Sequence, residues 1–403
     1  MTTKTLFTGG LIFDGESELL EETAVLIEDD RIVDVAPHAD FSGFSGEIVD
    51  TKGATLMPGL IDCHVHLCYK GSADPSAELT KLPPGAIALT ALENAQSSLK
   101  NGITSLRDCG GREYLELPVR DAVNRGDFQG PTIQCAGRMI CMTGGHGSRW
   151  GRIADGCDEV VKAVREQVHA GCDFVKIMAT GGVMTFGVNP KDAHYTADEM
   201  ACAIREAHRL NKRTATHAQG TQGILNAIRG GITSIEHGVY LDEQCLEEML
   251  QAGTYLIPTI SALHNMLKHA DKGIPSYMVE KSQQVAEQQR KSLLSFYRAG
   301  GLLAMGTDAG TPFNLHGANA QELKLLVDYS ISEKDALRAG CSGGADLMGL
   351  AEHGRIKKGA VADLLLVKGN PLEDITMAAD HHNHLAVYKK GRLVEEMPVS
   401  SVN

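Results

Sequence analysis

The sequence has no surplus of positive charge, because 38 Lys and Arg residues stand against 51 Asp and Glu residues, for a formal net charge of −13. Non-specific binding to nucleic acid or anionic membranes requires clustered Lys and Arg, so the composition argues against both. No apolar run approaches the ~18 residues that a membrane-spanning helix needs. The first residues, MTTKTLFTGG, lack the basic and apolar regions of a secretion signal. We therefore expect a cytoplasmic protein that binds neither nucleic acid nor membranes.

Closely spaced cysteine pairs are also missing. Ten cysteines occur between Cys63 and Cys341, and no two of them form a Cys-x-x-Cys motif. A chain of 403 residues, 43% of them hydrophobic, can bury a full core without cross-links, so we predict buried, reduced thiols. The length fits one large α/β domain with an appendage, or two domains.

The two ends of the chain share a texture of short strands and tight turns. TLFTGGLIF and TAVLIEDDRIVDVAP near the start resemble GAVADLLLVKGNP and HLAVYKKGRLVEE near the end, with alternating apolar and polar residues around Gly and Asp turns. We infer that residues 1–57 and 353–403 pair into one small β-sandwich domain, which leaves residues 58–352 as the main domain.

Glycine is abundant, with 44 residues, and in the main domain it marks a recurring junction. Five helical runs end in Gly before a short apolar strand, as in LKNG-ITSLRD and VHAG-CDFVKIM, because Gly favours the left-handed helix cap. Eight strands are predicted near residues 61, 105, 133, 174, 214, 234, 255 and 303. Eight such units indicate an α/β fold, a (β/α)8 TIM barrel. A doubly wound open sheet is the alternative, but no Gly-x-Gly-x-x-Gly turn follows the first strand.

Polar side chains with metal-ligand chemistry end five of these strands. His64 and His66 alternate on one strand and so point to the same face, while His217, His237 and Asp308 end three others. The carboxyl ends of barrel strands meet at one face of the fold, where active sites lie. A lone His at a strand end is usually a hydrogen-bonded core residue, but five such coincidences at one level favour a His/Asp metal site.

Lys176, in the predicted strand FVKIM, is buried whichever way it points, because parallel barrel strands are covered on both faces. An unpaired buried ammonium is costly, and loss of its proton is the usual escape. The neutral amine can react with CO2 to form a carbamate, which would bridge two cations. The alternative is a Lys paired with Asp308 or another buried acid.

Taken together, several motifs resemble the metal-dependent amidohydrolase superfamily over essentially the whole chain. They are PGLIDCHVHL, KIMATGGV, THAQG, SIEHG, MGTDAG and GRIKKGAVADLLLVKGNPLEDI. Lys176 before Thr-Gly-Gly-Val, together with His146 in MTGGHG, resembles the prolidase-like and arginine-carboxypeptidase-like dipeptidases, of the imidazolonepropionase-like sequence type.

This resemblance implies two divalent metal ions, with zinc expected. The implied ligands of the more buried ion are His64, His66 and Asp308, and those of the more exposed ion are His217 and His237. Carboxylated Lys176 and a hydroxide would bridge the ions, and Asp308 would act as the catalytic proton acceptor and donor. His146 and Tyr240 would bind the substrate.

The predicted reaction is hydrolysis of an amide bond, in an Xaa-Pro or Xaa-Arg/Lys dipeptide or an N-acyl amino acid. Deaminases of the superfamily carry a Glu after the strand-5 His, whereas Ala-Gln-Gly follows His217. Imidazolonepropionase itself lacks a bridging Lys, so that activity is not expected. Hydrolysis of cyclic amides, carbamates, ureas or lactones is the alternative, since the same site attacks all of them. We expect a small-molecule substrate and a homo-oligomer.

Charged residues in the loops are candidate substrate anchors, whereas one His-rich segment is not predicted to be a functional site. Candidates for a substrate carboxylate are Arg138, His146, Arg149 and Arg152, and candidates for a basic leaving residue are Asp74, Glu78 and Asp192. HHNH at 381–384 has polar neighbours and is predicted to be an exposed loop.

Overall fold

The computed structural model describes residues 4–16 and 19–394. Its strands are β1 (Lys4–Thr8), β2 (Leu11–Phe13), β3 (Leu19–Leu20), β4 (Thr23–Glu28), β5 (Arg31–Pro37), β6 (Glu47–Asp50), β7 (Ala54–Pro58), β8 (Leu60–Val65), β9 (Ile103–Asp108), β10 (Thr132–Cys135), β11 (Ile140–Cys141), β12 (Arg152–Ile153), β13 (Phe174–Met178), β14 (Arg213–Ala218), β15 (Ser234–His237), β16 (Tyr255–Ile257), β17 (Leu364–Lys368), β18 (His384–Lys389) and β19 (Arg392–Leu393).

The α-helices lie mostly between the strands of the middle region. They are α1 (Pro75–Lys81), α2 (Pro84–Lys100), α3 (Glu116–Arg125), α4 (Gly156–Ala170), α5 (Ala197–Arg209), α6 (Thr221–Gly230), α7 (Glu243–Ala252), α8 (Ile260–Lys268), α9 (Ser276–Arg298), α10 (Gln321–Asp328), α11 (Glu333–Arg338), α12 (Gly344–Met348) and α13 (Thr376–Ala379). None of the helices in the described ranges is both long and apolar enough to span a bilayer.

Strands from both chain ends combine in two packed sheets. One sheet has the order β5-β4-β1-β6 and the other the order β19-β18-β17-β7-β2-β3, in which β17 runs antiparallel to β7. Phe7 and Tyr388, one from each end of the chain, meet in a shared apolar cluster with ring centroids 5.0 Å apart. The predicted pairing of the two ends is thus present, while the domain boundaries remain a prediction whose outer residues, 1–3 and 395–403, lie outside the described chain.

The middle region contains parallel strands in two arcs. Their orders are β10-β9-β8 and β12-β11-β13-β14-β15-β16. Seven of the eight predicted strands are therefore present. The eighth, near residue 303, is an irregular segment, 302–309, that lies between the arcs. It is linked to β16 by hydrogen bonds such as that from Leu256 N to Leu302 O (2.9 Å) and to β8 by several others, such as that from Cys63 N to Met305 O (2.8 Å), and it forms isolated parallel bridges with both. On the opposite side, Asp173 N donates to Cys135 O (2.9 Å), which links β10 to the start of β13.

The predicted junctions between helices and strands are confirmed. The glycines at residues 102, 171, 231, 253 and 300 all have positive φ angles, between 64° and 94°. The buried stripe of α4 includes Val160 and Val164, and Thr196 and Glu199 form a capping box at the start of α5. Each helix therefore ends where the chain must turn back into the sheet.

The prediction that all ten cysteines are reduced is wrong for two of them. Cys157 at the start of α4 and Cys202 in α5 form a disulfide, and the eight others are buried and free. The two helices pack side by side, which brings the Cα atoms of the pair to 5.6 Å. A separation of 45 residues carries no spacing signal, so only the packing of the helices reveals this pair.

Candidate metal centre and active site

The six predicted metal ligands line one cavity at the carboxyl ends of the parallel strands. The cavity has a volume of about 380 Å³, and His64, His66, Lys176, His217, His237 and Asp308 all contribute to its wall. His64 lies in β8, Lys176 in β13, His217 in β14 and His237 in β15. The structure thus brings together side chains that are up to 244 residues apart (308 − 64).

His64, His66 and Asp308 form the tightest group, with one donor atom of each within 4.8 Å of the others. Oδ1 of Asp308 lies 3.2 Å from Nε2 of His66 and 3.5 Å from Nε2 of His64. This oxygen is buried and has no hydrogen-bond partner among the described residues. Such an orphaned buried acceptor needs an explanation, and a missing ion is one of the usual ones.

Hydrogen bonds at the far side of each ring assign the protons of these imidazoles. Nδ1 of His64 donates to Glu236 Oε2 (2.6 Å), and Nδ1 of His66 donates to Gly110 O (2.8 Å). In the neutral tautomers, both Nε2 atoms therefore present lone pairs toward Asp308 Oδ1. In that state three electron-pair donors converge, and they repel one another unless a proton or a metal cation lies between them, so these residues fit a metal ion.

His217 and His237 are oriented in the same way. Nε2 of His217 donates to Gly181 O (2.9 Å), which leaves Nδ1 free, and Nδ1 of His237 donates to Thr259 Oγ1 (2.6 Å), which leaves Nε2 free. The two rings are 4.6 Å apart between centroids. The pair therefore offers two further nitrogen ligands beside the first group.

Lys176 is only 2% exposed and lines the same cavity. It forms no salt bridge with any carboxylate of residues 4–16 and 19–394, so the alternative ion pair with Asp308 is not present. A buried lysine without a counter-ion is unusual in a protein interior.

Burial keeps most of these imidazoles neutral. It lowers the pKa of His64 to about 3 and that of His237 to about 4, and it holds the pKa of His217 well below the ordinary value. His66 is the exception: burial acts against both charges, but the contact between His66 and Asp308 raises the pKa of His66 and holds the pKa of Asp308 below its usual range. Neutral imidazoles and an ionised carboxylate are the protonation states that bind metal.

Three residues of the site have left-handed backbone conformations although they are not glycines. The φ angles are 74° at His237, 53° at Thr259 and 60° at Asp308. Such conformations cost about 1–3 kcal/mol each and cluster at functional sites. At His237 the consequence is visible, because strand alternation would send Glu236 and His237 to opposite faces, yet Glu236 bonds His64 while His237 lines the cavity.

Glu236 is the main residue that the sequence analysis missed. Its buried carboxylate accepts from His64, from Arg107 Nη2 (2.8 Å) and from Ser234 Oγ (2.6 Å). Metal-binding histidines are commonly oriented by such a carboxylate. The motif SIEHG contains this Glu, but strand alternation predicts that Glu236 and His237 point to opposite faces, which would keep Glu236 away from the site.

The two predicted substrate-binding residues have different surroundings. His146 lines the cavity, with its ring 4.3 Å from that of His217 between centroids and its Nδ1 2.8 Å from Thr185 Oγ1. Tyr240 is half-buried, does not line the cavity, and has Nζ of Lys191 over its ring at 4.8 Å. The structure thus brings His146 to the centre and leaves Tyr240 outside it, and the roles of both remain predictions.

The candidate anchor residues in the loops differ in their partners and in whether they line the cavity. Arg138 donates to the carbonyls of residues 150 and 151, and Arg152 pairs with Glu166. Arg149 is exposed, lines the cavity, and forms no hydrogen bond or ion pair with a described residue. Among the acids, Asp74 lines the cavity and also caps α1, whereas Glu78 and Asp192 do not line it.

One wall of the cavity is apolar. It comprises Val183, Met184, Ala262, Leu263, Met266 and Tyr277, which pack in one apolar cluster, with Phe186 against the Tyr277 ring. Near the polar side, Trp150 Nε1 and Gln219 Oε1 are buried without partners among the described residues. His381 and His382 are exposed and do not line the cavity, as predicted for HHNH, but the segment is not a loop: residues 381–383 form a 3-10 turn, and the partly buried His384 begins β18.

Comparisons with known proteins agree with this geometry. The model of the amidohydrolase family matches residues 55–394. The ochratoxinase of Aspergillus niger is 30% identical over 96% of this chain and 86% of its own. The crystal structure of a prolidase complexed with N-methylphosphonate-L-proline is 31% identical, with a TM-score of 0.89 over 98% of this chain and 100% of that one. A Xaa-Pro dipeptidase with methionine bound in its active site is 30% identical, with a TM-score of 0.88 over the same shares.

Proposed function

The chain belongs to the amidohydrolase family, and from that premise we propose that it hydrolyses the amide bond of a dipeptide or an N-acyl amino acid. Membership confirms the resemblance inferred from the motifs, and the prolidase and ochratoxinase relatives support a hydrolase acting on C–N bonds. The observation that carries the proposal is the convergence of His64 Nε2, His66 Nε2 and Asp308 Oδ1 in a cavity that Arg149 also lines.

The residues present fit two divalent cations, and we propose zinc. His64, His66 and Asp308 would hold one ion, and His217 and His237 would hold the other. Lys176 would bridge them after its neutral amine reacts with CO2, which forms an N–C bond and releases one proton. The bound ions would supply an activated water and polarise the scissile carbonyl. We also propose that the parallel strands close into a (β/α)8 barrel, with residues 58–352 as its extent.

Asp308 is the proposed catalytic residue. Its Oδ1 faces the two imidazoles, so its other oxygen, Oδ2, is available to take the proton of the attacking water. The same oxygen would then deliver that proton to the leaving nitrogen. Glu236 and Thr259 would keep the rings of His64 and His237 fixed during this transfer.

The cavity wall suggests what the substrate carries. Arg149 is the cationic group free to bind a terminal carboxylate at the cavity edge, and His146 is placed to contact the scissile region. The apolar wall favours a hydrophobic group beside the amide over a basic one. Xaa-Pro dipeptides and N-acyl amino acids with apolar groups are thus the preferred substrates, ahead of Xaa-Arg and Xaa-Lys.

The test is amino-acid release by zinc-loaded protein across a library of dipeptides and N-acyl amino acids. We expect release from carboxylate-bearing substrates with an apolar group, and none from matched amides that lack the free carboxylate. The Asp308→Asn variant, purified in the same way, controls for contaminating peptidases. Silence across the library with two metals bound per chain would contradict the proposal, and cleavage of cyclic amides, carbamates, ureas or lactones would then identify the alternative function.

A further inference from the structure

A loop that follows β13 connects the metal centre to the apolar wall. Residues 181–188, which we call the 181–188 loop, place the side chains of residues 183–186 in the cavity wall. At its first residue, Gly181 O accepts the hydrogen bond from His217, and at its middle, Thr185 Oγ1 bonds Nδ1 of His146. Gly182 packs against the His146 ring so closely that a Cβ there would lie 2.5 Å from Nε2. The position of this loop therefore sets the position of both rings.

The base of the loop is held by the backbone, but its tip is not. Gly181 N donates to Asp192 O (3.0 Å), and Thr180 forms an isolated bridge with Ala193. Residues 186 and 187 form a turn, but within the described chain no backbone hydrogen bond ties residues 182–188 to another segment. Some other group must fix the conformation of the tip.

That group is the ammonium of Lys281, on helix α9. Its Nζ donates to three carbonyl oxygens of the loop, Gly182 O (3.2 Å), Thr185 O (2.7 Å) and Val188 O (2.6 Å). Tyr277, about one turn earlier on the same helix, donates from its hydroxyl to Met184 O (3.2 Å). An ammonium has three N–H donors, so Lys281 uses all three in hydrogen bonds to this one loop.

We propose that Lys281 is a positioning residue that holds the tip of the 181–188 loop against the cavity, and thereby sets the apolar wall and the orientation of His146. This role rests on the proposed function, because the wall matters only if a substrate occupies it. Lys281 does not itself line the cavity. Removing its ammonium leaves three carbonyls without their charged donor, so the tip should open locally while the base, held by its own backbone bonds, keeps His217 in place.

The first arm of the test needs no substrate. Chymotrypsin can cut after Phe186, which is 79% exposed at the tip, but cleavage requires the loop to leave the protein surface. We expect Lys281→Met to raise the rate of this cleavage by about tenfold or more, located by mass spectrometry. Lys291→Met is the matched control, since Lys291 lies on the same helix and reaches only Glu287, at 3.7 Å. Equal cleavage rates in Lys281→Met and wild type would overturn the proposal.

The second arm separates positioning from folding by kinetics. For a substrate with a bulky apolar group, Lys281→Met should raise KM by about tenfold with a much smaller change in kcat, because the wall contributes uniform binding. A glycine-sized group does not reach the wall, so its KM should rise less, by the part that a displaced His146 contributes. Metal content and thermal midpoint should match wild type, and Lys281→Arg, which keeps a cation and several donors, should recover part of the loss.

The outcomes distinguish failure of the role proposed for Lys281 from failure of the proposed function. Parallel loss of kcat, metal and thermal stability in Lys281→Met would mean a purely structural role and would overturn the proposal. If wild type cleaves no member of the substrate library, the proposed function fails, and the cleavage rate after Phe186 still decides whether Lys281 holds the loop.

Discussion

Two buried lysines have opposite surroundings. At the junction between the terminal sheets and the middle region, Lys389 pairs with Asp363 at 2.6 Å and also donates to Thr104 O and Thr132 Oγ1, both at 2.8 Å. In the cavity, Lys176 has no salt bridge among the described residues, and Asp308 Oδ1 has no hydrogen-bond partner.

The difference shows which buried charges serve the fold. A buried charge is tolerated when hydrogen bonds and a counter-ion replace its water, as at Lys389. Lys176 forms no direct ion pair or hydrogen bond within the described chain, although the buried carboxylates of Glu236 and Asp108 act on its charge, and we expect its direct partner to come from outside the chain. The Lys389–Asp363 pair therefore connects two parts of the molecule, whereas Lys176 and Asp308 lie where we propose that metal ions and substrate bind.

The largest effect is expected at Asp308. Asp308→Asn should lower kcat by about 10³-fold, because the amide cannot accept the proton of the attacking water, whereas two imidazoles still hold metal. Asp363→Asn is the counterpart at the junction and should leave kcat per folded molecule unchanged. The measurement is kcat together with metal content, and near-normal turnover in Asp308→Asn would remove the catalytic assignment.

Lys176 should come next. Lys176→Met should lower activity by about 10²-fold and reduce the metal bound, because a bridging ligand is lost while the apolar replacement suits the burial. Metal-free wild type reconstituted with and without bicarbonate gives the independent check. Higher activity with bicarbonate, and a carbamate carbon signal after labelling with ¹³CO2, are expected, and neither should appear in the variant.

Substitution of Lys389, the counterpart of Lys176, should change the stability of the protein and leave its activity unchanged. Lys389→Met breaks a buried ion pair and leaves Asp363 uncompensated, which should cost about 3 kcal/mol in the free energy of unfolding. Lys368→Met, at an exposed position of β17, is the control and should be nearly neutral. Denaturant unfolding measures both. A stability loss in Lys176→Met as large as that in Lys389→Met would erase the contrast between the two lysines.

The smallest effect concerns the pH dependence of the metal-free protein. Burial lowers the folded-state pKa of His64 and His146 to about 3 and that of His237 to about 4, below the ordinary value of 6.5. Between pH 6.5 and pH 4 the unfolded chain binds more protons at these histidines than the folded chain does. The free energy of unfolding is therefore highest above pH 6.5 and decreases as the pH falls toward 4. Thermal midpoints measured from pH 7 to 5 should fall, and His146→Asn should make the slope shallower. A flat profile would contradict the assigned burial.

Periodic features were predictable from sequence. The five glycine-ended helices, seven of the eight strands and the six cavity residues all follow from local rules about caps, alternation and strand ends. The segment near residue 303 does not form the regular strand that these rules predict. Asp308 adopts a left-handed backbone conformation, and Gly306 packs so closely against His64 that a Cβ there would lie 2.9 Å from the His64 Cβ. Tyr240 was carried over by resemblance and lies outside the cavity, since resemblance conveys residue type but no distance.

The amino-acid sequence by itself indicated the family and the α/β fold class and predicted six residues that line one cavity, because motifs and spacing along strands and helices are local properties that each segment carries. Only the tertiary structure decided which ring nitrogens are free, that Glu236 orients His64, that Cys157 pairs with Cys202 and that Lys281 holds the 181–188 loop. Each of these depends on contacts between residues that are tens to hundreds of positions apart. No periodic pattern encodes such contacts, because they arise only when packed elements bring the side chains together.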